Sequence, residues 1–303
     1  SSPNLMWGLL HGESERIDSE ENIEACLRYF RDDRALNFYA TSPFENQENL
    51  SPENWKAISQ AVSDFNEEDR FVTLSGFQFI GEPKHEGIRH ILHIKESKSI
   101  SKHKDYKHVP LSKLYKSIPN HEILSIPCFT ASQHYGYNFE NFHPEFERVV
   151  EIYNAWGCSE TTAELGNPFP IRGIDTMDPQ GTLIEGLKKN LRFGFVAGGF
   201  DDRGIYKDFF DSNQVQYSPG LTAIICTKYS RDSLIEALYQ RHCYATTGPR
   251  INLSFNIASV PMGSELSLGT KPGLMVNRHI SGSVAGTALL KSVEIIRNGE
   301  VLK

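Results

Sequence analysis

Strand-like and helix-like segments alternate along most of this chain, and no other sequence feature constrains its fold as much. Asp18-Ser19-Glu20-Glu21 caps a predicted helix that runs to about Arg31, with Ile23, Leu27 and Phe30 on one face. Leu36 to Thr41 then reads as a strand. Ser51-Pro52-Glu53-Asn54 opens a second helix through Ile58, Val62 and Phe65, and Phe71 to Leu74 follows as a strand. The theme continues with a strand at Val149 to Tyr153, a helix at Leu183 to Lys189 and a strand at Phe193 to Ala197. A last pair is the strand Leu221 to Cys226 and the helix Ser230 to Arg241. Apolar residues repeating at helical and then at two-residue spacing imply an α/β architecture with a largely parallel sheet.

The pattern changes after Thr247-Gly248-Pro249. Ile251 to Ile257 alternates apolar and polar residues, as a half-buried strand does. Ser292 to Arg297, Asn298-Gly299 and Glu300 to Leu302 predict a hairpin, because Asn-Gly supplies the two left-handed residues of a tight turn. The sequence thus divides into an α/β unit over 1–248 and a small antiparallel β segment over 249–303.

The 303 residues carry a formal net charge of -7, with 39% hydrophobic and 23% charged residues. That balance fits a soluble globular protein and gives no reason to expect a nucleic-acid partner. The basic run Lys95 to Lys107 is interrupted by Glu96 and Asp105 and reads as a solvated loop. No apolar run approaches the roughly 18 residues that a membrane span needs. The five cysteines (Cys26, Cys128, Cys158, Cys226, Cys243) are odd in number and lack CxxC spacing. They read as free thiols of a reducing compartment, so a cytoplasmic location is expected. Ser1-Ser2-Pro3 has no initiator Met and no signal-peptide pattern, which leaves a removed signal peptide open.

In Leu5-Met6-Trp7-Gly8-Leu9-Leu10-His11-Gly12-Glu13-Ser14, His11 and Glu13 stand two positions apart. On a strand they share a face and converge on one ion. The stretch resembles W-G-D-L-H-G-H-S, the opening motif of the polymerase-and-histidinol-phosphatase (PHP) superfamily, with Leu9 at the Asp and Glu13 at the second His. Ala35 to Pro43 resembles A-L-D-F-x-A-V-T-D-H, with Ser42 and Pro43 at the Asp and His. Phe71 to Phe79 resembles F-x-x-x-x-G-Y-E-W with Gln78 at the ligand Glu. Gly87-Ile88-Arg89-His90 is similar to G-H-R-N, and Ile126-Pro127-Cys128-Phe129 to I-P-H-H with both His gone. Val150 to Glu160 resembles V-E-I-Y-S-x-x-G-x-S-E. Gly194 to Gly204 resembles G-x-x-A-x-S-D-D-H-x-G, with Arg203 at the His. Arg241 to Ile251, leading into Met262-Gly263-Ser264-Glu265, is similar to the end of a superfamily branch that carries an appended β segment.

The resemblance implies a distorted, TIM-like β/α barrel with its site at the C-terminal rim. It also implies a metal-dependent phosphoesterase ancestry. The departures fall on the ligand positions. Leu9, Pro43, Ile88 and Phe129 cannot coordinate, and Ser42 and Gln78 offer neutral oxygens that hold transition metals poorly. Cys128 alone suits a soft ion. What remains for metal is His11, Glu13 and Asp201, a reduced site for at most one divalent ion (Mn, Zn or Fe), with no metal as the alternative. Arg203 places a permanent cation beside those acids and is expected to take over the metal's electrostatic role. Gln78, Arg203, Glu151 and His134 are the expected contacts for a small anionic or phosphorylated ligand. His90 and His93 lie near matched motifs but off the ligand positions, and Asp202 reads as a turn or helix cap.

The leading functional expectation is a pseudoenzyme that binds a ligand or partner at the barrel rim. The alternatives are a hydrolase running on one metal and a non-catalytic assembly scaffold. No G-x-S-x-G, phosphate-binding Gly loop or dinucleotide fingerprint supports another chemistry.

Overall fold

The computed structural model describes residues 4–10, 20–42, 52–94, 110–171, 176–199 and 217–302. The first elements are β1 (Asn4–Leu9), α1 (Glu20–Arg28), β2 (Phe38–Ala40), α2 (Pro52–Phe65) and β3 (Val72–Leu74). An antiparallel trio follows, β4 (Gly76–Ile80), β5 (Ile88–His93) and β6 (Ile123–Cys128), with α3 (Leu111–Ser117) between its last two strands. Next come β7 (Val149–Asn154), β8 (Gly157–Cys158), α4 (Leu183–Lys188), β9 (Gly194–Ala197), β10 (Leu221–Cys226), α5 (Arg231–Tyr239) and β11 (Cys243–Thr246).

Local sequence explains several of these. Ile23, Leu27 and Phe30 are buried on one face of α1 and of the π-helical turn Tyr29–Asp33 that continues it. Pro52 stands at the first position of α2, where its missing N–H costs nothing. Ser230 caps α5 by accepting the Ser233 N–H at 3.2 Å.

Among the described residues, strands β1 to β11 form three sheets: β11-β10-β1-β2-β3, β4-β5-β6 and β8-β7-β9. Pairing is mixed where the sequence implied a largely parallel sheet. β1–β2, β2–β3 and β7–β9 are parallel, and a helix lies between the strands of each pair. β4 and β5 are joined by residues 81–87, a link short enough for an antiparallel hairpin. That strand trio is hard to see in sequence, because β5 reads Ile-Arg-His-Ile-Leu-His and still buries all six residues.

All three sheets feed one interior. Met6, Phe38, Val72, Leu92, Ile126, Val149, Val196 and Ile224 belong to a single buried cluster, which Leu234 and Leu238 of α5 join. The opposite faces of β1 and β2 present Trp7, Leu9 and Tyr39 to α1 and α2, through Leu27, Phe30, Trp55 and Ile58. Phe30 stacks on Tyr39 with ring centroids 4.2 Å apart. The result is a layered α/β body with helices outside and a shared apolar interior.

The C-terminal unit holds β12 (Asn252–Ile257), β13 (Val260–Pro261) and β14 (Ile280–Ala285) in the order β13-β12-β14. The hairpin β15 (Ile296–Arg297) and β16 (Glu300–Val301) follows. Asn298 and Gly299 have φ of 51° and 82°, the left-handed pair expected from Asn-Gly. Arg241 ties this unit to the α/β body. Its Nε donates to the Gly263 carbonyl at 3.1 Å and its Nη2 to Glu265 Oε1 at 2.8 Å, while Arg192 pairs with the other Glu265 oxygen at 2.5 Å. Gly263 has φ 93°, and a Cβ there would lie 2.2 Å from the Arg241 carbonyl oxygen. The Met262-Gly263-Ser264-Glu265 motif is thus a clamp between the two units.

Candidate functional site

Strand register decides which polar side chains meet. Gln78, His90 and Ile126 are cross-strand partners on β4, β5 and β6, and Ile80, Ile88 and Cys128 form the next row on the same face. Ile88, Ile126 and Cys128 belong to the interior cluster, so Gln78 and His90 point inward with them. Gln78 is buried, and its amide nitrogen donates to the Ser42 carbonyl at 3.1 Å and reaches Ser42 Oγ at 3.5 Å. Ser42, just beyond β2, is buried as well.

The second half of the cluster joins β6 to β7. Cys128 ends β6, fully buried, with its thiol donating to the Ile126 carbonyl at 3.2 Å. Burial, reinforced by the charge of Glu151, pushes this thiol well above the usual cysteine range. Glu151 is buried on β7 and accepts from Asn154 Nδ2 at 2.9 Å, and Asn154 Oδ1 in turn accepts the Trp156 N–H at 2.8 Å. Phe129, the next residue after Cys128, is buried with φ 53°, a left-handed conformation that is costly for a bulky side chain.

The donor chemistry of these residues does not fit a multinuclear metal centre. Leu9, Ile88 and Phe129 are buried and carry no donor atom. Ser42 and Gln78 are bonded to each other, and Cys128 is held as the neutral thiol. Among the described residues, no three His, Cys, Asp or Glu converge in a manner that suits an ion. His11, Glu13, Asp201 and Arg203 lie outside the described residues, as do Pro43, Asp202 and the Lys95 to Lys107 segment. Of the expected ligand contacts, Gln78 and Glu151 therefore both stand on inward strands. His134 is exposed after β6, with its ring beside Tyr135 at 6.3 Å.

Sequence reasoning missed a charged cluster on the other face of the β4–β6 sheet. Arg89 and Glu147 are both fully buried and pair at 3.2 Å. The Arg89 guanidinium sits 4.0 Å from the Tyr137 ring centroid and donates to the Glu86 carbonyl. Glu147 Oε2 accepts the His143 N–H at 2.9 Å, and the nearby Tyr115 hydroxyl donates to Ser125 Oγ at 2.6 Å. Burial alone would lower the guanidinium pKa, but Glu147 with the two tyrosines holds it above its ordinary value. Burial raises the Glu147 carboxyl despite Arg89. The Arg of Gly87-Ile88-Arg89-His90 thus braces the sheet from outside, since the pleat turns its side chain away from Gln78 and His90.

Two clefts formed by described residues lie away from the inward cluster. One of about 590 Å³ is lined by Glu86, Leu111, Tyr115, Lys116 and His143 beside α3. Another of about 540 Å³ lies over the Arg241–Glu265 clamp, lined also by Leu187, Arg192 and Phe193. Among the described residues, no helix is long and apolar enough to cross a membrane.

A family model described as a protein of unknown function (DUF3604) matches residues 198–259. The chain is 80% identical over 302 residues to an uncharacterized protein of Chlamydia pneumoniae, covering all of this chain and 49% of that protein. It is 69% and 68% identical over 303 residues to uncharacterized proteins of Chlamydia muridarum and Chlamydia trachomatis, again covering all of the chain and 49% of each. The chain therefore spans about half the length of the curated relatives it matches. Among solved structures it is similar, at a TM-score of 0.41 and 10% identity, to a two-domain protein of Bacteroides vulgatus described as containing a predicted PHP-like metal-dependent phosphoesterase. That match covers 80% of this chain and 65% of the other, and a likeness so slight carries no argument.

Proposed function

We propose that the α/β body is a distorted barrel of PHP type whose metal centre has degenerated, and that its rim binds a small anionic or phosphorylated ligand without hydrolysing it. The observation that supports this most is the fate of the ligand positions within the described residues. They are filled by apolar side chains, by Ser42 and Gln78 bonded to each other, or by Cys128 held as a neutral thiol, while the inward strand register and the buried Glu151 remain. A hydrolytic centre needs anionic or imidazole donors to depress the pKa of a bound water. A neutral amide and hydroxyl in their place can orient a ligand but supply no such activation. In this reading Gln78 and Glu151 line the inner wall, and Arg203 faces the ligand's negative charge.

Elemental analysis after incubation with manganese, zinc and iron and then desalting tests the reading. The expected result is metal at background level, together with binding of inorganic phosphate that Arg203→Ala abolishes. About one equivalent of metal, lost in Glu13→Ala, would overturn it in favour of a mononuclear hydrolase built on His11, Glu13 and Asp201.

A further inference from the structure

The C-terminal unit presents an apolar surface that nothing among the described residues covers. Leu289, Val293, Ile296, Val301 and Leu302 are each more than half exposed within a short stretch. Large side chains gathered this densely on a surface mark an interaction site, whereas isolated ones are ordinary. The hairpin makes the point sharply. Ile296 and Val301 are direct cross-strand partners and share one face, while Arg297 and Glu300 pair on the other. The Ile296 and Val301 side chains stay about half exposed on that face, while the next pair, Ile295 and Leu302, falls on the side of Arg297 and Glu300. A two-stranded hairpin standing alone is marginal in water, and within the described residues β15 and β16 form a sheet of their own, with both outer edges open.

The platform beneath is fixed. Arg241 and Arg192 clamp Glu265, and the hairpin turn lies over α4, where a Cβ at Gly299 would be 3.4 Å from Ile184. Charge argues against a polyanionic partner, because Lys291 and Arg297 are matched by Glu294 and Glu300. The relatives supply an occupant, since this chain spans only 49% of their length.

We propose that this surface, centred on Ile296 and Val301, docks the part of the longer polypeptide that lies outside these 303 residues, by strand addition to the hairpin edge and burial of its apolar face. The contact is intramolecular in the full-length protein, which is why an apolar face this open is tolerated.

The test uses the full-length protein, prepared as an equal mixture of unlabelled and nitrogen-15-labelled molecules and treated with an amine-reactive cross-linker. Links from Lys291 to residues outside the 303-residue span, within one isotopic form, are expected. Hairpin amides should exchange at least about tenfold more slowly than in an Ile296→Asp/Val301→Asp variant, with β1 to β11 unchanged. Links confined to residues 1–303 would overturn the proposal, as would hairpin exchange unaffected by the variant. Links between light and heavy molecules would overturn it in favour of a second copy.

Discussion

Replacing Glu147 with Gln is the most demanding test of the packing described above. The substitution keeps the shape of the side chain and an oxygen for the His143 N–H, but removes the charge opposite Arg89. With both partners fully buried, the guanidinium would be left with the Glu86 carbonyl and the face of Tyr137. Removing one partner of a buried ion pair costs about 3–5 kcal/mol, because the other charge stays desolvated. At about 2–4 °C per kcal/mol for a domain approaching this size, the melting temperature should drop by roughly 6–20 °C. Urea denaturation followed by tryptophan fluorescence, beside thermal melts, measures both. The double variant Arg89→Met/Glu147→Gln should recover at least half of the loss, since a neutral pair needs no counter-charge. Arg89→Met alone should be less damaging at low pH. There the Glu147 carboxyl, already raised by burial, takes a proton, and stability is lost as pH rises through its folded pKa. A Glu147→Gln variant within about 1 kcal/mol of the parent, the worth of an exposed pair, would refute the reasoning. So would a double variant as unstable as the sum of its singles.

Three further outcomes follow from buried groups. Burial holds the His93 imidazole at about 4, so its contribution is complete above the unfolded value near 6.5 and is lost as pH falls toward 4. That window should carry about 3 kcal/mol of pH-dependent stability. His93→Leu should flatten it, and an unchanged slope would remove His93 as the cause. Thiol labelling of the native protein at pH 8 should modify Cys26 first, because it is the only half-buried cysteine. Cys158 and Cys243 are pushed up to about 12, Cys226 to about 11 and Cys128 well above the usual range, so prompt reaction at any of these four would contradict the packing. Gly263→Ala places a Cβ against the Arg241 carbonyl at a left-handed φ. It should cost about 1–3 kcal/mol and expose the C-terminal unit to limited proteolysis, whereas wild-type resistance would show that the clamp is not what holds it.

Much of the fold was legible because its signals are local. The faces of α1 and α2 follow from apolar spacing, the start of α5 from Ser230, and the hairpin from Asn298-Gly299. The β4–β6 sheet was not legible as three strands. Arg89, His90 and His93 give β5 the look of a surface segment, and for Arg89 it is the pairing with Glu147, brought in by the rest of the fold, that makes burial tolerable. For the site, residue types alone singled out Ser42, Gln78 and Cys128 against the pattern that the resemblance implies. That Ser42 and Gln78 bond each other, and that Cys128 meets Glu151, depends on strands distant in sequence.

The sequence by itself determined the alternation of helix and strand, the Asn298-Gly299 turn, and that Leu9 and Phe129 carry no donor atoms. Those properties reside in side-chain chemistry and short-range spacing. Tertiary structure decided the mixed strand pairing, the three sheets around one interior, and the turning of Arg89 away from Gln78 on adjoining strands. Register sets those outcomes, and a slip of one residue would exchange the inward and outward faces of a strand. Register in turn is fixed only when apolar faces from every sheet must close on the same core.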